Sequence, residues 1–261
     1  MQRSPSTSEP LDPAFERDKF LLRQKLLAIS EKYFVFDENN KPILFAMRPA
    51  KTGAKLLAVF GGLFVMAIII YLAISITTHF KDPTTKAMLV GSSFVVGLFG
   101  WIIVAVALSP KRHLKIFKDE SRREELIEVK QINKFQLFKA RYEIYDNRHN
   151  LLARLQKNYL HDFFRKRWTC FSPDGSILCT VKEDSIMLSL LRRMFGTLLG
   201  ALRTNYVFLT GTLQSDVVGK FDRKFTIFDR YVLDMTADQG HLIDRRIAVA
   251  IGVMLDTGEK R

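Results

Sequence analysis

Residues Tyr142–Lys157, YEIYDNRHNLLARLQK, read as one β-hairpin. Tyr142, Ile144 and Tyr145 favour a pleated strand, and Leu151, Leu152 and Ala153 begin the return. Between them Asp146 opens a turn, because a short carboxylate can accept a bond from its own backbone two residues on. The same pattern stands at Phe34-Val35-Phe36-Asp37, four turn residues including Asn39 and Asn40, then Pro42 and Ile43–Ala46. A third copy is Trp168–Phe171, SPDG, then Ile177–Cys179, and a fourth, less regular one begins at Phe225–Asp229. Alternate aromatics should fill one face of each hairpin. Copies of one hairpin tile a sheet. Around them lie further short runs with turn residues between: FLLRQKLLAI, LKIFKD, LIEVKQI, YVFLTG, VVGKFDRKFTIF and YVLDMT. In total about twelve strands can be counted, which predicts an all-β sandwich or barrel.

Two stretches interrupt this pattern. Leu56–Ile76 is 21 residues without a charge, and Ala87–Leu108 is 22. At about 1.5 Å per residue, each is long enough to cross a hydrocarbon core of roughly 30 Å. Ten residues separate them, with Pro83 in the turn, so the two spans should form an antiparallel hairpin. Lys41, Arg48, Lys51 and Lys55 precede the first span, and Lys111, Arg112, Lys115, Lys118, Arg122 and Arg123 follow the second. The turn has only Lys81 and Lys86, so the positive-inside rule puts both termini in the cytoplasm. Gly61, Gly62, Gly91, Gly97 and Gly100 permit close helix packing and leave an oligomer through the hairpin open.

The expected domains are therefore a disordered tail over 1–14, a β domain from 15–50 and 111–258, and the hairpin over 56–108 inserted in it. Residues 185–203 have helical spacing and few charges besides Arg192, Arg193 and Arg203. They read as an amphipathic helix, packed on the β domain or lying at a membrane interface. The apolar part of 244–255, IAVAIGVML, is too short to span and apolar all round, so it must be buried in protein as a central strand or a core helix. Cys170 and Cys179 flank a turn and face each other across it, either as two small strand residues or as a redox pair.

Taken together, FERDKFLLRQKLLAISEKYFVFDENNKPILFAMRP, YEIYDNRHNLLARLQK, RKRWTCFSPDGSILCTVKED, VGKFDRKFTIFDRYVLDMTAD and the apolar C-terminal run resemble a superfamily. It contains the phospholipid scramblases, the LURP-one-related proteins and the tubby C-terminal domains. The resemblance implies a closed barrel of twelve antiparallel strands around one apolar C-terminal helix. It would make 244–255 that helix, and the membrane hairpin an insertion at a barrel loop. The chain departs from scramblases in three respects: little proline at the N-terminus, no cysteine cluster for acylation, and no acidic calcium-loop spacing before the last helix. Asp229, Asp234, Asp238 and Asp244 offer oxygens there, but turns explain them equally well.

No phosphate-binding loop, zinc spacing or nucleophile elbow occurs, and the five histidines are scattered. An enzyme, a catalytic residue, a cofactor and a bound metal are therefore not expected. Net charge is +13, which favours an anionic partner. The cations alternate with acids along strands instead of forming a stripe, which disfavours nucleic acid. The expected partner is the lipid bilayer, with anionic headgroups contacted by Arg48, Lys51, Lys55, Lys111, Arg112, Arg192 and Arg193. The expected function is a membrane-anchored, non-enzymatic module that interacts with lipid. The alternative is a scramblase that moves phospholipid across the bilayer.

Overall fold

A computed structural model of the chain describes residues 12–24, 31–49, 52–111, 113–134, 139–159, 166–184, 205–211, 216–224 and 230–259. It divides into two compact units, Met1–Pro49 with Arg112–Arg261, and Ala50–Lys111.

The first unit is a closed antiparallel barrel of twelve strands. They are β1 (Lys19–Gln24), β2 (Glu31–Phe36), β3 (Pro42–Arg48), β4 (His113–Phe117), β5 (Glu125–Gln131), β6 (Lys139–Asp146), β7 (Leu151–Asn158), β8 (Arg167–Phe171), β9 (Ile177–Glu183), β10 (Tyr206–Thr210), β11 (Asp216–Lys224) and β12 (Arg230–Asp234). Each strand pairs with the next in sequence, and β1 pairs with β12 to close the sheet. Closure leaves no unpaired edge.

A helix, α3 (Arg245–Glu259), follows β12. Every residue from Ile247 to Asp256 is buried, whichever way it faces. A helix without a solvated face belongs inside. A Cβ added at Gly252 would lie 3.2 Å from the Phe221 ring of β11 and 3.6 Å from Leu22 of β1, so the helix touches the barrel wall there. The choice between strand and helix for this run is thus settled as a core helix.

The repeated hairpins share one turn. In β2–β3, Asp37 Oδ1 accepts from the amides of Asn39 and Lys41, and Asn40 takes φ +60°. In β6–β7, Asp146 Oδ1 accepts from Arg148 and Asn150, with His149 at φ +62°. In β8–β9 the left-handed place belongs to Gly175, the residue suited to it. A one-residue register shift follows in each hairpin, as expected when a left-handed residue closes a type I turn. Two further copies escape the sequence pattern: Asp119 with Arg122 at φ +60°, and Asp238 with His241 at φ +46°. The fourth copy expected at Phe225–Asp229 lies outside the described residues, as does the helix expected at 185–203.

The inner face differs from expectation in the first hairpin. Tyr33 and Val35 are fully buried, while Phe34 and Phe36 lie on the other face of β2. Aligned on the turn opener, Asp37, Asp146 or Ser172, the interior positions are Tyr33, Tyr142 and Trp168, then Val35, Ile144 and Cys170. Asp12 caps a short 3-10 turn, Pro13–Phe15, whose Ala14 and Phe15 join the core.

The second unit is a pair of helices, α1 (Thr52–Thr77) and α2 (Pro83–Leu108), both long and apolar enough to cross a membrane. Both extend beyond the uncharged stretches. Pro83 is the first residue of α2 and not part of a loose turn, since a first-turn residue needs no amide donor. Asp82 caps that helix, accepting from the Thr85 amide and from the Thr84 and Thr85 hydroxyls. Those bonds hold its carboxyl well below the usual carboxylate range, outweighing a small desolvation. Glycines bring the helices together: Gly62 faces Trp101, and Gly97 faces Met66.

Candidate membrane-surface site

The twelve strands give the barrel two unlike ends. At the turn end are the tight connections β2–β3, β4–β5, β6–β7 and β8–β9. The opposite end holds β1–β2, β3–β4, β5–β6, β7–β8, β9–β10 and β11–β12, and β3–β4 is where the chain leaves for α1 and α2. Three residues, 49–51, link β3 to α1, and four, 109–112, link α2 to β4. This second end is called the insertion end below.

The turn end is sealed. Arg245, at the start of α3, donates to Asp238 Oδ2 at 2.7 Å and to Asp18 Oδ1 at 2.6 Å. Asp238 also accepts from the amides of Leu242 and Ile243. Burial pushes the Asp238 carboxyl up, but these bonds outweigh it and hold the group below its ordinary value. Nearby, Lys118 pairs with Asp12, and Arg17 with Asp37. Of the four aspartates with oxygens to offer, Asp234 is bonded to Thr236, Asp238 to Arg245 and Asp244 to Arg246; Asp229 lies outside the described residues. Among the described residues, no cluster of three or more acids, histidines or cysteines is placed to hold a metal.

The insertion end is polar within. Alternation carries the buried face of β7 from Ala153 and Leu155 to Lys157, and that of β9 from Cys179 and Val181 to Glu183. Arg48, Gln131, Lys157 and Glu183 are all buried there, beside hydrophobic neighbours. The Lys157 ammonium lies 5.0 Å from the Trp168 ring centre and 5.3 Å from that of Tyr159. Glu183 accepts from the Lys166 amide. Asp256, on α3, takes the Tyr33 and Tyr231 hydroxyls. Together these side chains form a polar collar inside the insertion end.

The residues expected to meet headgroups are distributed as follows. Arg48 ends β3 and is buried, not presented to solvent. Lys55 is exposed on the first turn of α1, and Lys111 is half-buried in the α2–β4 link. Lys51, Arg112, Arg192 and Arg193 lie outside the described residues. Lys157 and Glu183 were missed, although period two along β7 and β9 does place them on the inner face.

A closed twelve-stranded barrel filled by its own C-terminal helix defines the tubby-like class. The family model for LURP-one-related proteins matches residues 103–256, more than half of the chain. The chain therefore belongs to the LURP-one-related family. Among curated proteins none matches it.

Proposed function

We propose that this is a membrane-anchored LURP-one-related protein whose barrel works at a lipid surface as a non-enzymatic module. The observation that carries this reading is the chain path. Two 26-residue apolar helices are inserted between neighbouring barrel strands through links of three and four residues. Links of that length reach at most roughly 10–14 Å, so a barrel tied to a membrane hairpin stays beside the headgroups. Net charge of +13 gives that barrel an attraction to anionic lipid, worth about 1 kcal/mol per cation near the surface. Both termini are assigned to the cytoplasm on the distribution of positive residues. The anionic headgroups are the partner, and Gly91, where an added Cβ would have no neighbour within 4 Å, marks the face of α2 on which an oligomer would form.

The test uses the full chain reconstituted in nanodiscs of phosphatidylcholine, with or without phosphatidylserine. Amide exchange of the barrel should slow in the anionic discs and recover at high salt. Equal exchange in both lipids would remove the reading. Extraction of the chain from membranes by alkaline carbonate would remove the anchor.

A scramblase activity is the second reading, and it rests on the superfamily resemblance. The apolar spans offer no charged residue as a path for headgroups. Exchange of fluorescent lipid across proteoliposomes, absent from protein-free vesicles, would establish it.

A further inference from the structure

The outer face of β11, β12 and β1 carries its charges in cross-strand rows. Nearest the turn end, Asp234 of β12 lies between Lys220 of β11 and Lys19 of β1, and the row is compensated. The last row of this ladder is different. Arg230 of β12 lies directly opposite Arg23 of β1, and on its other side opposite the Lys224 position of β11. No carboxylate interrupts this row. Like charges directly opposite each other across strands are destabilising.

Among the described residues, neither arginine pairs with a carboxylate. Among the described residues, the Arg230 side chain has no hydrogen-bond or ion-pair partner, and its buried Nε lacks an acceptor. The Arg23 Nε is buried without an acceptor as well. Arg23 is held in place by the Phe36 ring, 4.4 Å below its guanidinium, and by Asn40, to which Nη2 donates. Burial and then the neighbouring Arg230 lower the Arg23 pKa. The structure thus places two arginines at paired positions of β1 and β12, Arg23 resting on Phe36 and Asn40, with Asp222 one row away on β11 the nearest described carboxylate of that face.

We propose that Arg23 and Arg230 form an oxyanion site that binds a phosphate monoester. Guanidinium forks match phosphate oxygens in pairs. A monoester carries about −1.5 to −2 charge at pH 7, enough for two arginines, whereas a carboxylate or a phosphodiester supplies one. The monoester is either the headgroup of a lipid such as phosphatidic acid or a soluble sugar-type phosphate. The lipid source rests on the function proposed above; the site itself does not.

The experiment places the full chain in phosphatidylcholine nanodiscs and follows phosphorus resonances. One arm adds phosphatidic acid to the disc, a second adds glycerol 3-phosphate to the solution, and a third replaces phosphatidic acid with phosphatidylserine. Wild type should broaden the monoester signals selectively over phosphatidylserine. Arg230→Gln and Arg23→Gln should each weaken this about tenfold or more, with Arg230→Lys between. Without ligand, Arg230→Gln should unfold at a higher temperature than wild type, because a like-charge pair is relieved. Binding of glycerol 3-phosphate alone, lost in Arg230→Gln, supports the site and discards the lipid source. Phosphatidic acid binding that survives both glutamine variants overturns the site while leaving the lipid reading in place. Absence of both monoesters from the wild-type protein overturns it too.

Discussion

Asp256, near the end of α3, accepts a hydrogen bond from Tyr231 of β12 at 2.5 Å through Oδ1, while Oδ2 accepts from Tyr33 of β2. One carboxylate therefore ties the core helix to two strands separated in the barrel by β1. All three side chains are buried. A buried carboxylate is tolerable only when its oxygens are satisfied. Tyr33→Phe or Tyr231→Phe should each cost about 1.5–3 kcal/mol, the worth of a hydrogen bond to a charged group. The double variant should cost more than the sum, because it leaves a buried charge with neither hydroxyl. Denaturant unfolding followed through Trp168, in a Trp101→Phe background, reads the barrel alone. Additive costs would show that the carboxylate is not shared.

The other end of the same helix sets the acid limit of the fold. Asp238, buried and bonded to Arg245 and to two amides, has its carboxyl held below the ordinary range. A group with a lowered folded pKa binds its proton more readily when unfolded. Its stabilisation is then complete above the unfolded value near about 4, and it is lost as pH falls through the folded value. Barrel stability should therefore drop steeply below about pH 4. Asp238→Asn should be weaker at neutral pH by about 3 kcal/mol, the usual cost of breaking a buried pair, and should show a shallower acid decline. An unchanged decline would assign acid sensitivity to other carboxylates.

The barrel was legible because its hairpins repeat a turn with a chemical reason. Asp37 and Asp146 each accept two amides of their own turn, so a turn opener at fixed spacing from apolar residues marks a hairpin. The copy at Asp119 escaped notice because its left-handed residue is Arg122, and the one at Asp238 because it leads from β12 into the core helix with no return strand to mark a hairpin. Tyr33 was passed over because Phe34 and Phe36 offered a more conspicuous alternation. The polar collar was invisible for another reason. Period two puts Lys157 and Glu183 on the inner face, but they look like ordinary solvated ends of strands, and it is closure of the barrel that buries them. The row of Arg23 and Arg230 joins residues over 200 positions apart, which only the β1–β12 pairing brings together.

Cys170 and Cys179 are exact cross-strand partners, both buried inside the barrel and both free thiols. The hydrogen bond with Cys170, and then burial, push the Cys179 thiol well above its ordinary value. Alkylation requires thiolate and access; burial denies access to both thiols, and Cys179 is also held in its protonated form. Iodoacetamide at about pH 8 should leave both cysteines of the native protein unmodified, and should label both in denaturant. Labelling of the native chain at the rate of a free thiol would contradict the burial of this pair.

The hairpin depends on glycine at particular places and not at others. A Cβ at Gly62 would stand 2.4 Å from Trp101 Cδ1 and 2.7 Å from the Trp101 carbonyl oxygen, and one at Gly97 2.9 Å from Met66 Cγ. Gly91 has nothing within 4 Å of the same position. Trp101 also donates through Nε1 to the Val59 carbonyl of α1, so its ring cannot simply swing aside without losing that bond. Helices in lipid associate through close packing, with no hydrophobic drive to compensate for a gap. Gly62→Ala should therefore separate α1 from α2, and Gly91→Ala should not. Cysteines introduced at Val65 and Gly100, on facing parts of the two helices, report this by disulfide formation in membranes. Gly62→Ala should slow that crosslinking several-fold, whereas Gly91→Ala should leave it unchanged. Equal rates in the two variants would mean that the glycine notch at Trp101 does not set the helix spacing.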